Sequence, residues 1–80
     1  MGRGRPKIIF SEFQIRQVEI LAGLGLTREQ IALVLGVSER TLRRRKADDE
    51  ALAEAIATGQ ALAAMQVART LFDLATKRKI

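Results

Sequence analysis

The chain has 80 residues, enough for one small domain. A domain of this size buries only about 60% of the surface that its unfolded chain exposes, so we expect further stabilisation by self-association. It contains no cysteine and no histidine, which excludes disulfides, thiolate metal sites and histidine-based catalysis. Its apolar runs are shorter than the roughly 20 residues of a membrane-spanning helix, and its first residues lack the apolar core of a signal peptide. We therefore expect a soluble, cytoplasmic protein.

Positive charge is concentrated in the N-terminal part of the chain. Residues 1–47 carry ten Lys/Arg and four Asp/Glu, whereas residues 48–80 carry four and five, within a net charge of +5. This asymmetry indicates a polyanion-binding N-terminal part and a C-terminal part with a different task. It predicts three segments: a basic arm (residues 1–10), a compact head (residues 11–47) and a long helical segment (residues 48–80).

Cap and glycine signals predict three short helices in the head. Ser11 with Gln14, and Thr27 with Gln30, have the spacing of a capping box, and Ser38 precedes the third helix. The predicted inward-facing residues of the first helix are Phe13, Ile15, Val18, Leu21 and Ala22. Gly23 and Gly25 offer left-handed positions at the end of that helix, and Gly36 ends the second. Strands have no evident place, so the fold is predicted to be all-α.

The short junction between the second and third helices has the pattern of a helix-turn-helix. Ile31 and Leu35 are inward positions, Ala32 is small where the helices cross, and Gly36 lies in the turn. Val37 and Leu42 then anchor a helix whose outer side is rich in arginine. The head therefore resembles a homeodomain-like, three-helix DNA-binding domain. Arg45 lies at a position where such domains usually have an apolar residue. Either its methylene stem covers the core while its guanidinium reaches a phosphate, or the third helix ends early.

The helix-turn-helix geometry places the N-terminal half of the third helix in the major groove of double-stranded DNA, where arginine can bind guanine and glutamate can accept from cytosine. Phosphate contacts or a merely solvated charged face are the alternatives. The predicted DNA-binding residues of the head are Arg28, Ser38, Glu39, Arg40, Thr41, Arg43, Arg44, Arg45 and Lys46.

The arm adds a further basic motif, "GRGRPK", to this assignment. Arg3-Gly4-Arg5-Pro6 resembles the core of an AT-hook, in which an extended segment lies in a narrow minor groove. Arg3, Arg5 and Lys7 are therefore predicted DNA contacts, by groove insertion or by general phosphate attraction.

The segment from residue 48 onward predicts one long helix, with acidic residues at its start, basic residues at its end and Gly59 as the one place where it could break. Its predicted association face comprises Leu52, Ile56, Ala63, Val67, Leu71 and Leu74, and a second apolar side comprises Leu62, Met65 and Phe72. Two apolar sides would let each subunit contact two neighbours in a ring, whereas one face would serve a dimer or pack back onto the head.

Over nearly its whole length the chain resembles the small terminase subunit of tailed bacteriophages. The resemblance is carried by the "GRP-K" start, by "LTREQIALVLGVSERTLRRR" and by "ALAEAIATGQALAAMQVARTLFDLA". It implies a ring of helices surrounded by DNA-binding heads, which recognises viral DNA in the bacterial host cytoplasm and delivers it to the large subunit, an ATPase and nuclease. Family members commonly have a further C-terminal segment for the large subunit, and "KRKI" leaves little room for one, which suggests a fragment or a reduced relative.

Two other functions use the same residues differently. A transcriptional repressor would bind as a dimer to a two-fold operator, and a non-DNA adaptor would bind an acidic protein through the basic face. No nucleotide-binding loop or metal-ligand cluster is evident, so we expect no enzymatic activity and no cofactor.

Overall fold

The computed structural model describes residues 9–77, and it is built from four helices. They are α1 (Glu12–Gly23), α2 (Arg28–Leu35), α3 (Glu39–Asp48) and α4 (Glu50–Lys77). No strand occurs within residues 9–77, which confirms the all-α prediction. The arm residues Arg3, Arg5 and Lys7 lie outside the described part of the chain.

Both predicted capping boxes are present. At α1, the Ser11 hydroxyl accepts from the Gln14 amide at 3.2 Å, and the Gln14 side chain accepts from the Ser11 amide at 2.9 Å. Thr27 and Gln30 make the same two bonds at α2. Each box satisfies backbone donors that the first helical turn leaves without a partner.

The end of α1 differs in one detail from the prediction. Gly23 is the last helical residue, and Gly25 is the glycine with a left-handed backbone, at φ 93°. The Gly25 amide donates to the Ala22 carbonyl and the Leu26 amide donates to the Leu21 carbonyl, the two bonds of a Schellman motif. Leu26 then packs against the core.

One apolar core joins the head to the beginning of α4. Its fully buried members come from all four helices: Val18, Ile31, Leu42, Leu52 and Ile56. Asp49 caps α4, since its carboxylate accepts from the amides of Ala51 and Leu52 at 3.0 and 3.3 Å. The core therefore extends beyond the head as far as residue 59 of α4.

Burial corrects several assignments made from the pattern. Leu52 and Ile56, predicted to be association residues, lie instead in the core, because the first part of α4 packs against α1. Phe10, which the predicted boundary places in the arm, is also buried. Phe13, predicted to face inward, is 70% exposed.

Helix α4 continues without interruption through Gly59, where the sequence allowed a break. This glycine is instead the residue at which α4 contacts α1. A Cβ at Gly59 would lie 2.5 Å from the Ala22 Cβ, 2.5 Å from the Glu19 carbonyl oxygen and 2.9 Å from the Gly23 amide nitrogen. The backbones of α1 and α4 cross here at a distance that only glycine permits.

Beyond this crossing, α4 leaves the rest of the chain. Every residue of 60–77 is exposed except Ala63, which is half-buried; we call this segment the protruding end. At about 1.5 Å per residue it is roughly 27 Å long. The molecule accordingly measures 70 × 19 × 18 Å, with a radius of gyration of 16.5 Å, against about 11 Å for a compact chain of similar length.

Candidate nucleic-acid interface

The turn between α2 and α3 fixes the position of α3. Gly36 adopts the left-handed conformation at φ 79°, and its amide donates to the Leu33 carbonyl at 3.1 Å. The Val37 amide donates to the Ala32 carbonyl at 3.0 Å, which completes a second Schellman motif. Ala32 is buried, in keeping with the small side chain predicted where the two helices cross.

The start of α3 is held by Ser38. Its hydroxyl accepts from the Thr41 amide at 3.0 Å and donates to the Thr41 hydroxyl at 2.9 Å. Through these bonds the Ser38 side chain caps the N-terminus of α3, and the Thr41 hydroxyl is hydrogen-bonded to it. Thr41 is half-buried, whereas Ser38 is exposed, as is Arg28 at the start of α2.

The outer side of α3 is basic. Leu42 is fully buried, and the arginines Arg40, Arg43 and Arg44 are all exposed. At about 100° per residue, these three arginines spread over roughly 100° of the helix surface on the side away from Leu42. The helix therefore presents three cationic side chains in one direction, as a DNA-facing helix requires.

Two ion pairs modify this charge. Glu39, the first residue of α3, lies 3.5 Å from the guanidinium of Arg43. Glu39 and Arg43 are one helical turn apart, so the pair stabilises the helix while it orients the arginine.

The second pair involves Arg45, for which the sequence left two alternatives; the structure excludes the early helix end and leaves the phosphate contact a prediction. Helix α3 runs to Asp48, so it does not end early, and the Arg45 side chain is only 15% exposed. Its guanidinium pairs with Asp48 within the chain. Arg45 therefore stands apart from the outward-facing arginines, although the pattern grouped it with them. Lys46 is also half-buried.

Comparison with known proteins agrees with this geometry. The sequence model of a family described as the antitoxin Xre-like helix-turn-helix domain matches residues 18–55, from the middle of α1 into α4. The chain carries a helix-turn-helix DNA-binding domain. The match covers 38 residues, just under half of the chain, and leaves out the protruding end. Comparisons with curated proteins and with solved structures give no significant match.

The domain ends with residues that the sequence assigned elsewhere. The matched region includes Leu52 and Ala55, both buried, so the beginning of α4 contributes a face of the DNA-binding domain itself. A burial pattern of this kind is hard to find from sequence, because an amphipathic helix shows which residues share a face but not what that face contacts.

Within residues 9–77 there is neither a candidate membrane-spanning helix nor a candidate metal site. None of the described helices is long and apolar enough to cross a membrane. No group of three or more potential ligands is placed to hold a metal ion in this part of the chain. The expectation that the protein is not an enzyme stays a prediction.

Proposed function

We propose that the protein is a self-associating DNA-binding subunit of the small-terminase type. In this role it recognises viral DNA in the cytoplasm of a bacterial host and presents that DNA to the large terminase subunit. The observation that carries the proposal is the protruding end of α4, which is apolar on two sides and extends away from the DNA-binding domain.

The protruding end is too apolar to remain in water alone. Its exposed apolar side chains are Leu62, Met65, Val67, Leu71, Phe72 and Leu74, each at least 46% exposed. Helices in proteins gain most of their stability from packing an amphipathic face against other elements. Large apolar side chains exposed together in this way mark an interaction site.

The two apolar sides point in nearly opposite directions. At about 100° per residue, Val67, Leu71 and Leu74 cluster on one side, while Leu62, Met65 and Phe72 lie roughly 170° away. A helix with two such sides can contact two neighbours at once, which is the condition for a ring of subunits. A dimer would cover only one side.

A dimeric transcriptional regulator is the second candidate. The match of residues 18–55 to a domain described as antitoxin Xre-like is compatible with a regulatory role, and it does not itself indicate a dimer. Such a regulator would bind a two-fold operator with half-sites about 34 Å apart. The two candidates share the DNA-binding domain and differ in subunit number.

Subunit number is therefore the deciding measurement. Light scattering on a sizing column, over a range of protein concentrations, gives the mass of the assembly with and without a short mixed-sequence duplex. A stable assembly of more than four subunits supports the terminase role. A dimer that retains its DNA affinity supports the regulator, and a monomer at every concentration contradicts both candidates.

The DNA-binding assignment has its own test. Arg44→Ala removes an exposed arginine from α3, and we expect DNA affinity to fall by about fivefold to a hundredfold. If Arg44 contacts a phosphate, the slope of log affinity against log salt concentration should also decrease in magnitude by about one. Arg69→Ala is the matched control, because it removes an exposed arginine from the protruding end. Equal affinities for the two variants would contradict the assignment of α3 as the DNA-facing helix.

A further inference from the structure

The three exposed arginines of α3 differ in what lies beside them. Arg43 lies 3.5 Å from the carboxylate of Glu39, whereas no ion pair within residues 9–77 involves Arg40 or Arg44. Glu39 is the acidic residue in the first turn of this basic helix. Arg40 and Arg44 therefore each present a full positive charge, while Glu39 and Arg43 together present no net charge.

The contact between Glu39 and Arg43 leaves their hydrogen-bonding groups free. Their 3.5 Å separation exceeds the roughly 2.7–3.2 Å of an N–H···O hydrogen bond, and neither side chain hydrogen-bonds to another group within residues 9–77. The Arg43 side chain is 68% exposed and that of Glu39 is 35% exposed. The guanidinium donors and the carboxylate acceptors are thus available to a ligand, while charge attraction keeps the two groups together.

A carboxylate on a DNA-facing helix opposes binding unless the DNA offers it a hydrogen-bond donor. Phosphates are negatively charged and therefore repel Glu39. In the major groove the donors are the amino groups of cytosine and adenine, and the acceptors that match both arms of an arginine are guanine O6 and N7. A G·C pair presents a donor for Glu39 and both acceptors for Arg43. An A·T pair offers an amino group but lacks the guanine acceptors.

Glu39 and Arg43 can reach the same short stretch of DNA. Both lie in the first half of α3, the half that enters the major groove in a helix-turn-helix. Four residues of helix span about 6 Å, and successive base pairs are about 3.4 Å apart. The two side chains therefore lie within two base-pair steps of each other, whatever the tilt of α3 in the groove.

We propose that Glu39 and Arg43 act together as a base-reading pair, with one G·C base pair or two adjacent ones as their target. Arg43 donates to guanine O6 and N7, and the Glu39 carboxylate accepts from the cytosine amino group. Arg40 and Arg44 supply the phosphate attraction that all sequences share. This role rests on the assignment of α3 as the DNA-facing helix in the proposed function, and it is independent of subunit number.

Glu39 is then a specificity-determining residue that lowers affinity for the wrong sequence. Its removal takes away a repulsion from every phosphate, so DNA in general should bind as tightly as before or more tightly, while the preference for G·C falls. A carboxylate that only stabilised the first turn of α3 would change the free energy of unfolding but not the choice of base pair.

The probe is a library of DNA duplexes with a randomised central region. Sequencing of the bound fraction gives the base preference at each position. Fluorescence anisotropy then compares the enriched duplex with copies in which one G·C pair is replaced by A·T. For the unmodified protein we expect one or two G·C positions at which this replacement weakens binding about fivefold to a hundredfold.

Glu39→Ala tests the acceptor. We expect the preference for G·C over A·T to fall about fivefold or more at one of these positions, with affinity for a mixed-sequence duplex unchanged or increased. Glu50→Ala is the matched control, because Glu50 is the first residue of α4 as Glu39 is of α3, and it is exposed. It should leave the preference unchanged.

Arg43→Lys tests the donor without changing the charge. Lysine keeps the attraction to phosphate but lacks the planar fork that matches guanine, so the G·C preference should fall about fivefold or more while affinity for the mixed-sequence duplex stays within about twofold. Arg44→Lys makes the same exchange at an exposed arginine assigned to phosphate contact, and it should change neither quantity. Circular dichroism of each variant checks that the helices remain folded.

The outcomes separate this role from the DNA-binding assignment on which it rests. Loss of the G·C preference in Glu39→Ala and Arg43→Lys, with both controls unchanged, supports the base-reading pair. Loss in only one of the two variants overturns the pairing and leaves a single reading residue. A preference retained in both, or no preference in the unmodified protein, overturns the pair and leaves DNA binding intact. If the unmodified protein binds no duplex, the assignment of α3 and the base-reading pair both fail.

Discussion

At the scale of single residues, the crossing of α1 and α4 depends on a missing side chain. Gly59 lies in the middle of α4, where glycine normally costs about 0.5–1 kcal/mol relative to alanine. That cost is offset by the approach of α1, whose Ala22 occupies the space that a side chain would need. Glycine at position 59 therefore permits the close packing of α1 against α4, although it disfavours the helix that contains it.

Substitution of Gly59 measures the importance of this crossing. In Gly59→Ala the new methyl group meets backbone atoms of Glu19 and Gly23 at 2.5 and 2.9 Å, which cannot move without shifting α1. We expect a loss of about 1–3 kcal/mol in the free energy of unfolding, measured by urea denaturation at fixed protein concentration.

Gly23→Ala provides the matched control on the facing helix. The atom nearest to a Cβ at Gly23 is the Gly59 carbonyl oxygen at 3.9 Å, an ordinary contact. Because Gly23 is helical, alanine there should leave stability unchanged or raise it by up to about 1 kcal/mol. Equal stabilities for the two variants would show that α1 and α4 do not cross at Gly59.

At the scale of helices, the turn before α3 requires glycine at position 36 because of its backbone conformation, and not because a side chain would lack space. Gly36 has a left-handed backbone, yet no heavy atom lies within 4 Å of the position its Cβ would take. The constraint is therefore the φ angle of 79° alone. This turn sets the orientation of the DNA-facing helix.

Two substitutions at Gly36 distinguish conformation from packing. Gly36→Ala should lower the free energy of unfolding by about 1 kcal/mol, because a left-handed alanine is strained. Gly36→Asn should cost less, because asparagine tolerates this conformation better although its side chain is larger. If the asparagine variant were the less stable of the two in thermal denaturation, steric crowding at the turn would be the cause.

The bounds of these helices could be predicted from the sequence because their signals are local. A Ser11–Gln14 or Thr27–Gln30 box depends on residues three apart, and Gly36 needs no distant partner to end a helix. Cap chemistry therefore places the ends of α1 and α2 within a residue or two.

The direction of each apolar face could not be predicted in the same way. Helix α1 has apolar residues on two sides, so periodicity alone does not show that Val18 is buried and Phe13 exposed. The pattern on α4 continues from Ile56 to Leu74, and no local signal marks Gly59 as the place where the helix leaves the core. Both distinctions depend on how α1 and α4 pack, which is a property of the tertiary structure.

For the candidate site, the sequence indicated that the third helix is basic, but it did not indicate which of its arginines form ion pairs within the helix. The outward placement of Arg40 and Arg44 follows from their spacing relative to Leu42. The inward position of Arg45 also follows from its spacing, three residues after Leu42, but its ion pair with Asp48 depends on side-chain conformation, which spacing does not determine. A single helix can therefore hold arginines of different roles within one run of sequence.

At the scale of the whole molecule, stability is unevenly distributed. The four-helix core ends at Gly59. The hydrogen bonds of the protruding end are internal to its own helix, including those from the Thr76 hydroxyl to the Phe72 and Asp73 carbonyls, and Ala63 is the one half-buried residue among 60–77. An 18-residue helix without tertiary packing is near the limit of stability in water. The two halves of α4 should thus differ in how often they open, although they form one continuous helix.

Hydrogen exchange at two protein concentrations tests this division. In dilute, monomeric protein we expect amides of residues 62–77 to exchange rapidly, while those of residues 53–58 are protected by the core. At concentrations where the protein associates, the protruding end should gain protection, since packing against a neighbour stabilises its helix. Uniform protection along α4 in the monomer would mean that the helix is stable without a partner. In that case exposure of its apolar side chains, rather than helix stability, would be the driving force for assembly.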